Sequence, residues 1–378
     1  MPWQEVSAMS LREDFVVRAT VPGANVRALC REFGISAKTG YKWVNRFRAH
    51  GYPGLTDRSR RPKQSPSRTP LAMEEAVLRL RTEHPAWGAR KLRARLRALG
   101  TEGVPSASTI TAVLHRHGQI DPTEAAKHRP WQRFEHEAPN DLWQMDFKGP
   151  FLAVMGRLHA LTVLDDHSRF CVGLEACRDQ RGTTVQDRLT AIFRSYGLPE
   201  RMLMDNGAPW GDDRDHPYTA LTVWLLRLGI GLSHGRPYHP QTQGKDERFH
   251  RTLIVELLAP HIFVDRAECQ AEFDRWRQVY NVERPHDALG LDPPGKRYQP
   301  SVRTFPEHLP PLEYDSHEVV RKVQAGGEIA FQGRTFRVGN AFRGYQVALR
   351  EGADDGLYHV YFGQHCIAKI DPSSGVRT

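Results

Sequence analysis

The hydrophobic pattern of the chain changes period at Asp141. Upstream, apolar side chains recur at helical spacing; downstream they alternate in short runs, as strands with one buried face do. Helical units and a sheet on either side of such a boundary build separate cores, so the chain must fold as several units. Its 378 residues leave room for two or more. A second boundary lies at 51–70, where GYPGLTDRSRRPKQSPSRTP is rich in Pro, Ser and Arg and has no period. That stretch reads as a linker between helical units over 1–50 and 71–120.

The first unit reads as three short helices: Leu11 to Ala19, Val26 to Phe33 behind Asn25 as N-cap, and Ala37 to Arg48 after the turn Gly34-Ile35-Ser36. Ala28, Leu29, Ile35, Val44 and Phe47 would fuse the last two, with Gly34 free to take a positive φ. This is a helix-turn-helix pattern. Its third helix would present Lys38, Thr39, Lys42, Asn45 and Arg46 outward, side chains with the reach and polarity that a major groove requires. A packing helix with a solvated face would carry the same residues. In the linker, Arg58, Arg60 and Arg61 either follow a phosphate backbone or keep a tether soluble.

The second unit repeats the first. Helices are expected over Leu71 to Thr82, Trp87 to about Leu99 and Ser106 to His117. Arg90, Lys91, Arg93, Arg95 and Arg97 crowd the middle one, and Ser106, Ser108, Thr109, Thr111 and Arg116 decorate the last, the expected second recognition helix. Charge points the same way. Met1 to Pro130 holds 23 Lys and Arg against 11 Asp and Glu, a net of +12, while the remainder, with 30 against 33, is at −3. All the positive excess therefore lies in the first third, which suggests a polyanionic partner there.

Past Asp141, strands are expected at Leu142 to Phe147, Leu158 to Asp165 and Phe170 to Glu175, then a helix over Thr183 to Tyr196 and a short strand ending Leu203-Met204-Asp205. A helix over Tyr218 to Leu228, a strand near Gly231 to Ser233, and long helices over Gln243 to Leu258 and Arg266 to Asn281 follow. Three antiparallel strands and then α/β alternation describe a mixed α/β sheet over 136–298. From Val319 to Asp371, recurrent glycines separate five or six short apolar runs, which suggests a small β-barrel over 315–372. No uncharged apolar run reaches 18 residues, so no membrane span is encoded. Five scattered cysteines without a CxxC suit a reducing compartment and argue against structural zinc.

Three acids stand at strand or helix ends in the α/β region. Asp146 lies in WQMDF, Asp205 closes MLMD before Asn206-Gly207, and Glu247 lies just inside a helix start in PQTQGKDE. Each alone has a dull explanation: a strand-end partner, an Asx-turn, a charge complementing a helix dipole. Together they suggest a divalent cation, and an oxygen-only set favours Mg²⁺ or Mn²⁺. Two such ions could support an in-line phosphoryl displacement. Asp246 falls on the apolar stripe of Phe249, Leu253 and Leu257, whereas Glu247 shares its face with His250 and Arg251, so Glu247 is the expected ligand. Arg236, Lys245 and Arg251 are candidate phosphate clamps. Asp165 and Asp166 read as turn formers or as acids supporting Asp146.

The runs WQMDFKGP, LTVLDDHSR, MDNG, RPYHPQTQGKDERFHRTL and YNVERPHDALG, in that order, resemble the core of bacterial insertion-sequence transposases of the DDE type, whose catalytic domain is similar to retroviral integrase. The likeness covers about Asp141 to Tyr298. It implies a ribonuclease-H-like fold and a catalytic, metal-binding triad of Asp146, Asp205 and Glu247, with two Mg²⁺ or Mn²⁺ ions. It also implies double-stranded DNA partners (element ends and target), a dimer or larger multimer on DNA, strand cleavage followed by strand transfer, and a bacterial cytoplasm, nucleoid-associated when bound. The 42 positions between Asp205 and Glu247 are longer than the family's usual spacing, with the excess in Gly211 to Asp215. Two other readings compete: a ribonuclease-H-like nuclease without strand transfer, and a domesticated, sequence-specific regulator.

Overall fold

The structure is a computed structural model, and it describes residues 8–58, 69–120, 136–205, 207–211, 218–234, 244–352 and 356–373. Met1–Arg68 and Thr69–Thr378 form separate compact units. In the first, α1 (Ala8–Ala19), α2 (Val26–Glu32) and α3 (Ala37–His50) have the expected order. Local chemistry sets the ends. The Asn25 side chain accepts from the Ala28 N–H at 3.1 Å and Ser36 Oγ from the Thr39 N–H at 3.1 Å, and Gly34 sits between the two helices at φ 63°.

The expected apolar set packs around a core that includes further residues. Phe15, Val16, Cys30, Trp43 and Val44 fill the core, while Ala28, Leu29, Ile35 and Phe47 are only half-buried. Gly40 decides how closely the helices approach: a Cβ there would lie 2.2 Å from Cys30 Sγ and 2.9 Å from Phe15 Cζ. The linker also starts later than expected. Tyr52–Leu55 forms a 3-10 turn, Leu55 is fully buried, and Arg12 donates to the Leu55 carbonyl at 2.9 Å, so these residues belong to the first unit.

In the second unit, α4 (Leu71–Glu83), α5 (Ala89–Ala98) and α6 (Ala107–Arg116) close over Val77, Leu80, Trp87, Leu92, Leu96, Ile110, Val113 and Leu114. The sheet follows: β1 (Leu142–Ala153), β2 (Gly156–Asp165), β3 (Cys171–Cys177), β4 (Arg201–Met204) and β5 (Gly231–His234), in the order β3-β2-β1-β4-β5. The β1–β2 and β2–β3 pairs are antiparallel, β1–β4 and β4–β5 parallel. This is the mixed α/β sheet expected. Strand alternation then assigns the faces. Trp143, Met145, Leu161 and Val163 share a core with α7 (Gly182–Tyr196) and α8 (Ala220–Arg227). On the other face, Leu158, Ala160 and Leu164 pack under α9 (Gly244–Leu253) and α10 (Arg266–Gln278). Both of those helices run on into a π-helical turn, at 254–258 and 279–283.

The C-terminal region is not the closed barrel expected. Strands β6 (Val319–Lys322), β9 (Gln346–Glu351), β10 (Tyr358–Phe362) and β11 (His365–Ile370) make an open antiparallel sheet in the order β11-β10-β9-β6, and β7 (Glu328–Phe331) with β8 (Arg334–Arg337) makes a separate hairpin. Closure is unnecessary because the apolar side finds another cover. Val323, Ile329, Phe342, Val347 and Phe362 share a core with Val223 and Leu226 from the outer side of α8.

Candidate active site

Asp146 and Asp205 are brought together by strand register. Parallel pairing of β1 with β4 aligns Leu142 with Arg201, Trp143 with Met202 and Gln144 with Leu203. Two residues further, the same offset carries Asp205, just past the end of β4 where α/β sheets place their sites, toward Asp146, which lies inside β1 because that strand runs on to Ala153 rather than ending at Phe147 as expected. Asp146 Oδ1 accepts the Phe147 N–H at 2.8 Å. Burial, with the Asp205 charge adding to it, pushes the Asp146 carboxyl up to about 6, against the partial relief of its Phe147 hydrogen bond and Lys148. Asp205 Oδ1 accepts the Gly207 N–H at 3.0 Å, the Asx-turn that its sequence suggested, and its carbonyl contacts His234 Nδ1 at 3.1 Å. Phe147 stacks on buried Trp210 with ring centroids 5.7 Å apart, which ties the strand carrying Asp146 to the loop that follows Asp205.

Over this pair lies α9. His250, buried at the end of its first two turns, contacts Thr162 Oγ1 through Nε2 at 2.8 Å, and Thr162 Oγ1 in turn donates to the Asp146 carbonyl at 3.0 Å. Its Nδ1 stands 3.8 Å from Asp146 Oδ2. Burial, helped by Lys148, pushes His250 down to about 4, so at neutral pH this is an uncharged imidazole against a carboxylate rather than an ion pair. The expected exposed polar face of α9 therefore holds for Glu247 and Arg251, both solvent-facing, but not for His250. Among the described residues Glu247 bonds neither aspartate. Its neighbour Asp246 is buried, with Oδ1 lacking a hydrogen-bond partner, beside Phe249, Leu253 and Leu257 as the helical stripe implied. Burial first, and the charges of Asp146 and Asp166 next, hold its carboxyl well above the usual range.

Lys245 was expected to clamp phosphate; instead its Nζ pairs with Asp166. Asp166 also accepts from Gln144 Nε2 at 2.5 Å and from the His136 N–H at 2.9 Å. Burial alone would raise its pKa, but Lys245, the His136 N–H and Arg169 together leave it below the usual carboxylate range. The network pins the start of α9 to the β2–β3 turn and so positions Glu247. Asp165 is the turn former: its carboxylate accepts from the Ser168 N–H at 2.7 Å and the Asn140 N–H at 2.8 Å. Gln144 carries the signal that finds it in sequence, since it is two positions before Asp146 on one strand face. Trp210 and Thr162 carry none.

Comparison with known proteins places these residues in a matched domain. Residues 136–240 and 228–294 match the integrase core domain, 318–375 the C-terminal domain of the IS481 family transposases, and 11–56 and 39–114 two homeodomain-like domains. The chain carries an integrase core. Among its relatives, an uncharacterized 31.7 kDa protein of insertion element IS407 from Burkholderia multivorans is 30% identical over 42% of this chain and 55% of that protein. An uncharacterized 39.2 kDa protein of insertion element IS476 from Xanthomonas euvesicatoria is 32% identical over 42% of this chain and 44% of that one. A protein of Geobacillus stearothermophilus, named as a transposase for insertion sequence element IS5376, is 23% identical over 94% of this chain and 86% of that one. The chain thus spans about half the length of the first two. The likeness to insertion-sequence transposases that its motifs carry holds at the level of whole domains.

Within the integrase core, the donor chemistry fits a hard divalent cation: two register-paired carboxylates repel each other, and Lys148 offsets only part of that charge. No group of three Asp, Glu, His or Cys among the described residues is gathered to hold a metal. Outside it, Lys38, Lys42 and Asn45 are exposed on α3, while Thr39 and Arg46 are half-buried. On α6, Ser108 is exposed, whereas Ser106 caps the helix and contacts Thr109 Oγ1 at 2.9 Å. Arg58 is exposed; Arg60, Arg61 and Arg236 lie outside the described residues. No described helix is long and apolar enough to cross a membrane.

Proposed function

We propose that the chain is a transposase that binds the terminal repeats of an insertion sequence, cuts the DNA strand there and joins the freed 3′ end to target DNA. The observation that carries this reading is the closeness of Asp205 to Asp146, which the parallel β1–β4 pairing brings about in an integrase core, beneath a helix that bears Glu247. In this reading α3 and α6 read duplex sequence, Lys38, Lys42, Asn45 and Ser108 reach into grooves, and Arg46, Arg58, Arg60, Arg61, Arg236 and Arg251 meet phosphates. Lys245 acts on Asp166, not on DNA. Ser106 and Thr109 preorganise the first turn of α6.

Asp146, Asp205 and Glu247 would hold one or two Mg²⁺ or Mn²⁺ ions, which supply activation of the attacking oxygen and stabilisation of the leaving one. The chain's own part is placement. The Phe147 N–H and Gly207 N–H each fix one carboxylate oxygen, and Thr162 with His250 stops the β1 backbone at Asp146 from shifting. Joining two ends to one target needs two active sites, so the working form is a dimer or larger. The test is a strand-transfer assay with labelled end DNA and supercoiled target. Joined product that needs Mg²⁺ or Mn²⁺ is expected. Cleavage without joining would make the chain a nuclease, and end-binding with neither would make it a regulator.

A further inference from the structure

The motif ERPHDALG, Glu283 to Gly290, takes no part in the acidic cluster, yet it is built with care. The π-helical turn 279–283 ends because Arg284 precedes Pro285, and a residue before proline is driven out of the helical region; Arg284 is extended, at φ −72° and ψ 118°. Its Nε donates to Glu256 Oε1 at 2.9 Å, and Glu256 Oε2 accepts from Trp276 Nε1 at 3.2 Å, so the segment is tied to the end of α9 and to α10. Tyr280 and His286 meet edge to face with centroids 4.7 Å apart. What remains facing outward is acidic: Glu283 and Asp287.

Against that surface lies α5 of the second helix-turn-helix. Leu92 and Leu96 point into their own core, which leaves Lys91 and Arg95, four positions apart, on one face. Arg95 pairs with Glu283, their side chains only 20% and 33% exposed, and Arg90 lies 3.3 Å from Asp287. Val279 packs on the apolar cluster of Trp87 and Leu92. The contact therefore joins an apolar seat to ion pairs of opposite charge, while Ser108, Thr111 and Arg116 of α6 stay exposed.

We infer that Val279 to Leu289 is a docking platform that locks the second helix-turn-helix onto the catalytic core, so that protein contacts fix the spacing between the sequence read by α6 and the strand cut at the aspartates. The second half of this inference rests on the transposase reading; the docking does not. Arg90 and Arg95 of α5 are then a protein contact, not a DNA contact.

The experiment uses the full chain as Arg95→Glu, Glu283→Arg and the double swap. Without DNA, each single change should speed amide hydrogen exchange across 279–289 about tenfold, and the double swap should restore it, as a direct pair requires. On labelled end DNA, each single change should scatter the cut positions or cut the rate at the parental position about tenfold, with recovery in the double swap. Unchanged exchange at 279–289 in both single variants would overturn the docking. Faster exchange with the parental cut position and rate retained would overturn the role in spacing. If the parent cuts no end DNA at all, the transposase reading fails, and the exchange arm still decides the docking. If Arg95→Glu disturbs the folding of its own helices, Glu283→Arg, which leaves that unit intact, decides alone.

Discussion

The two helix-turn-helix units share a plan and differ in what their basic residues face. In the first, Arg12, Lys42 and Arg46 gather over the Trp43 ring at 4.1, 4.2 and 5.1 Å, and Lys38, Lys42 and Asn45 remain open to solvent on α3. In the second, the more densely charged helix is α5, and of its five basic residues four are already engaged or covered while Arg97 stays exposed. Arg90 and Arg95 meet acids of the integrase core, Arg93 donates to the Pro105 carbonyl at 3.0 Å, and Lys91 is covered. Density of positive charge on a helix is thus a poor guide to nucleic-acid contact. Exposure of the charged atoms, with a partner to compete for them, decides which helix can reach DNA.

The largest effect separates reading from cutting. Asp146→Asn, Asp205→Asn or Glu247→Gln should lower strand cleavage and joining by several orders of magnitude while end-binding by both units stays within about twofold. A Glu247→Gln enzyme that joins ends normally would remove Glu247 from the triad. Asp246→Asn should retain substantial activity, because its carboxyl is buried on the apolar side of α9, about 100° around the helix from solvent-facing Glu247.

Next in size is folding. Gly40→Ala should destabilise the first unit by about 1–3 kcal/mol, since the new methyl meets Cys30 and Phe15. Thermal melts of residues 1–58 and of the full chain should both record it; an unchanged melt would mean that the α3 contact is loose. DNA recognition comes third. Lys42→Ala or Asn45→Ala should weaken specific binding by about 1–3 kcal/mol and non-specific binding by less, whereas Arg95→Ala should barely change specific binding. Equal losses from the α3 and α5 variants, measured by titration at fixed salt, would break the comparison.

The smallest effect concerns the covered lysine. Burial pushes Lys91 down to about 8, with Arg284 and Arg248 adding to the shift and Glu256 and Asp287 opposing it. Its charged form therefore burdens the folded state fully below pH 8, and the burden fades as pH climbs from 8 toward the unfolded value of 10.5. Lys91→Met should raise stability by about 1 kcal/mol at pH 7, with a gain that shrinks across that window. A gain that grows with pH would contradict the burial.

Much of the site was legible because it is local. The WQMD alternation puts Gln144 and Asp146 on the face opposite Trp143 and Met145, and the spacing of Asp246, Phe249 and Leu253 separates a buried acid from exposed Glu247. His250 misled for the same reason in reverse: helical position placed it beside Glu247, but its contact with Thr162 depends on which strand lies beneath. Lys245 looked like a clamp because the residue that neutralises it, Asp166, is 79 positions away.

Patterns with a period of two or 3.6 residues, caps such as Ser36 and Ser106, and the sharp turn at Gly34 are properties of neighbouring residues, and they determined the helical units, the sheet strands and the strand end at Asp205. Register, cover and charge pairing are properties of residues far apart. Only the tertiary structure could pair Asp146 with Asp205, leave the C-terminal sheet open against α8, and turn the basic face of α5 toward Glu283 and Asp287. Each of those outcomes depends on which surface another element offers, and no local spacing encodes that.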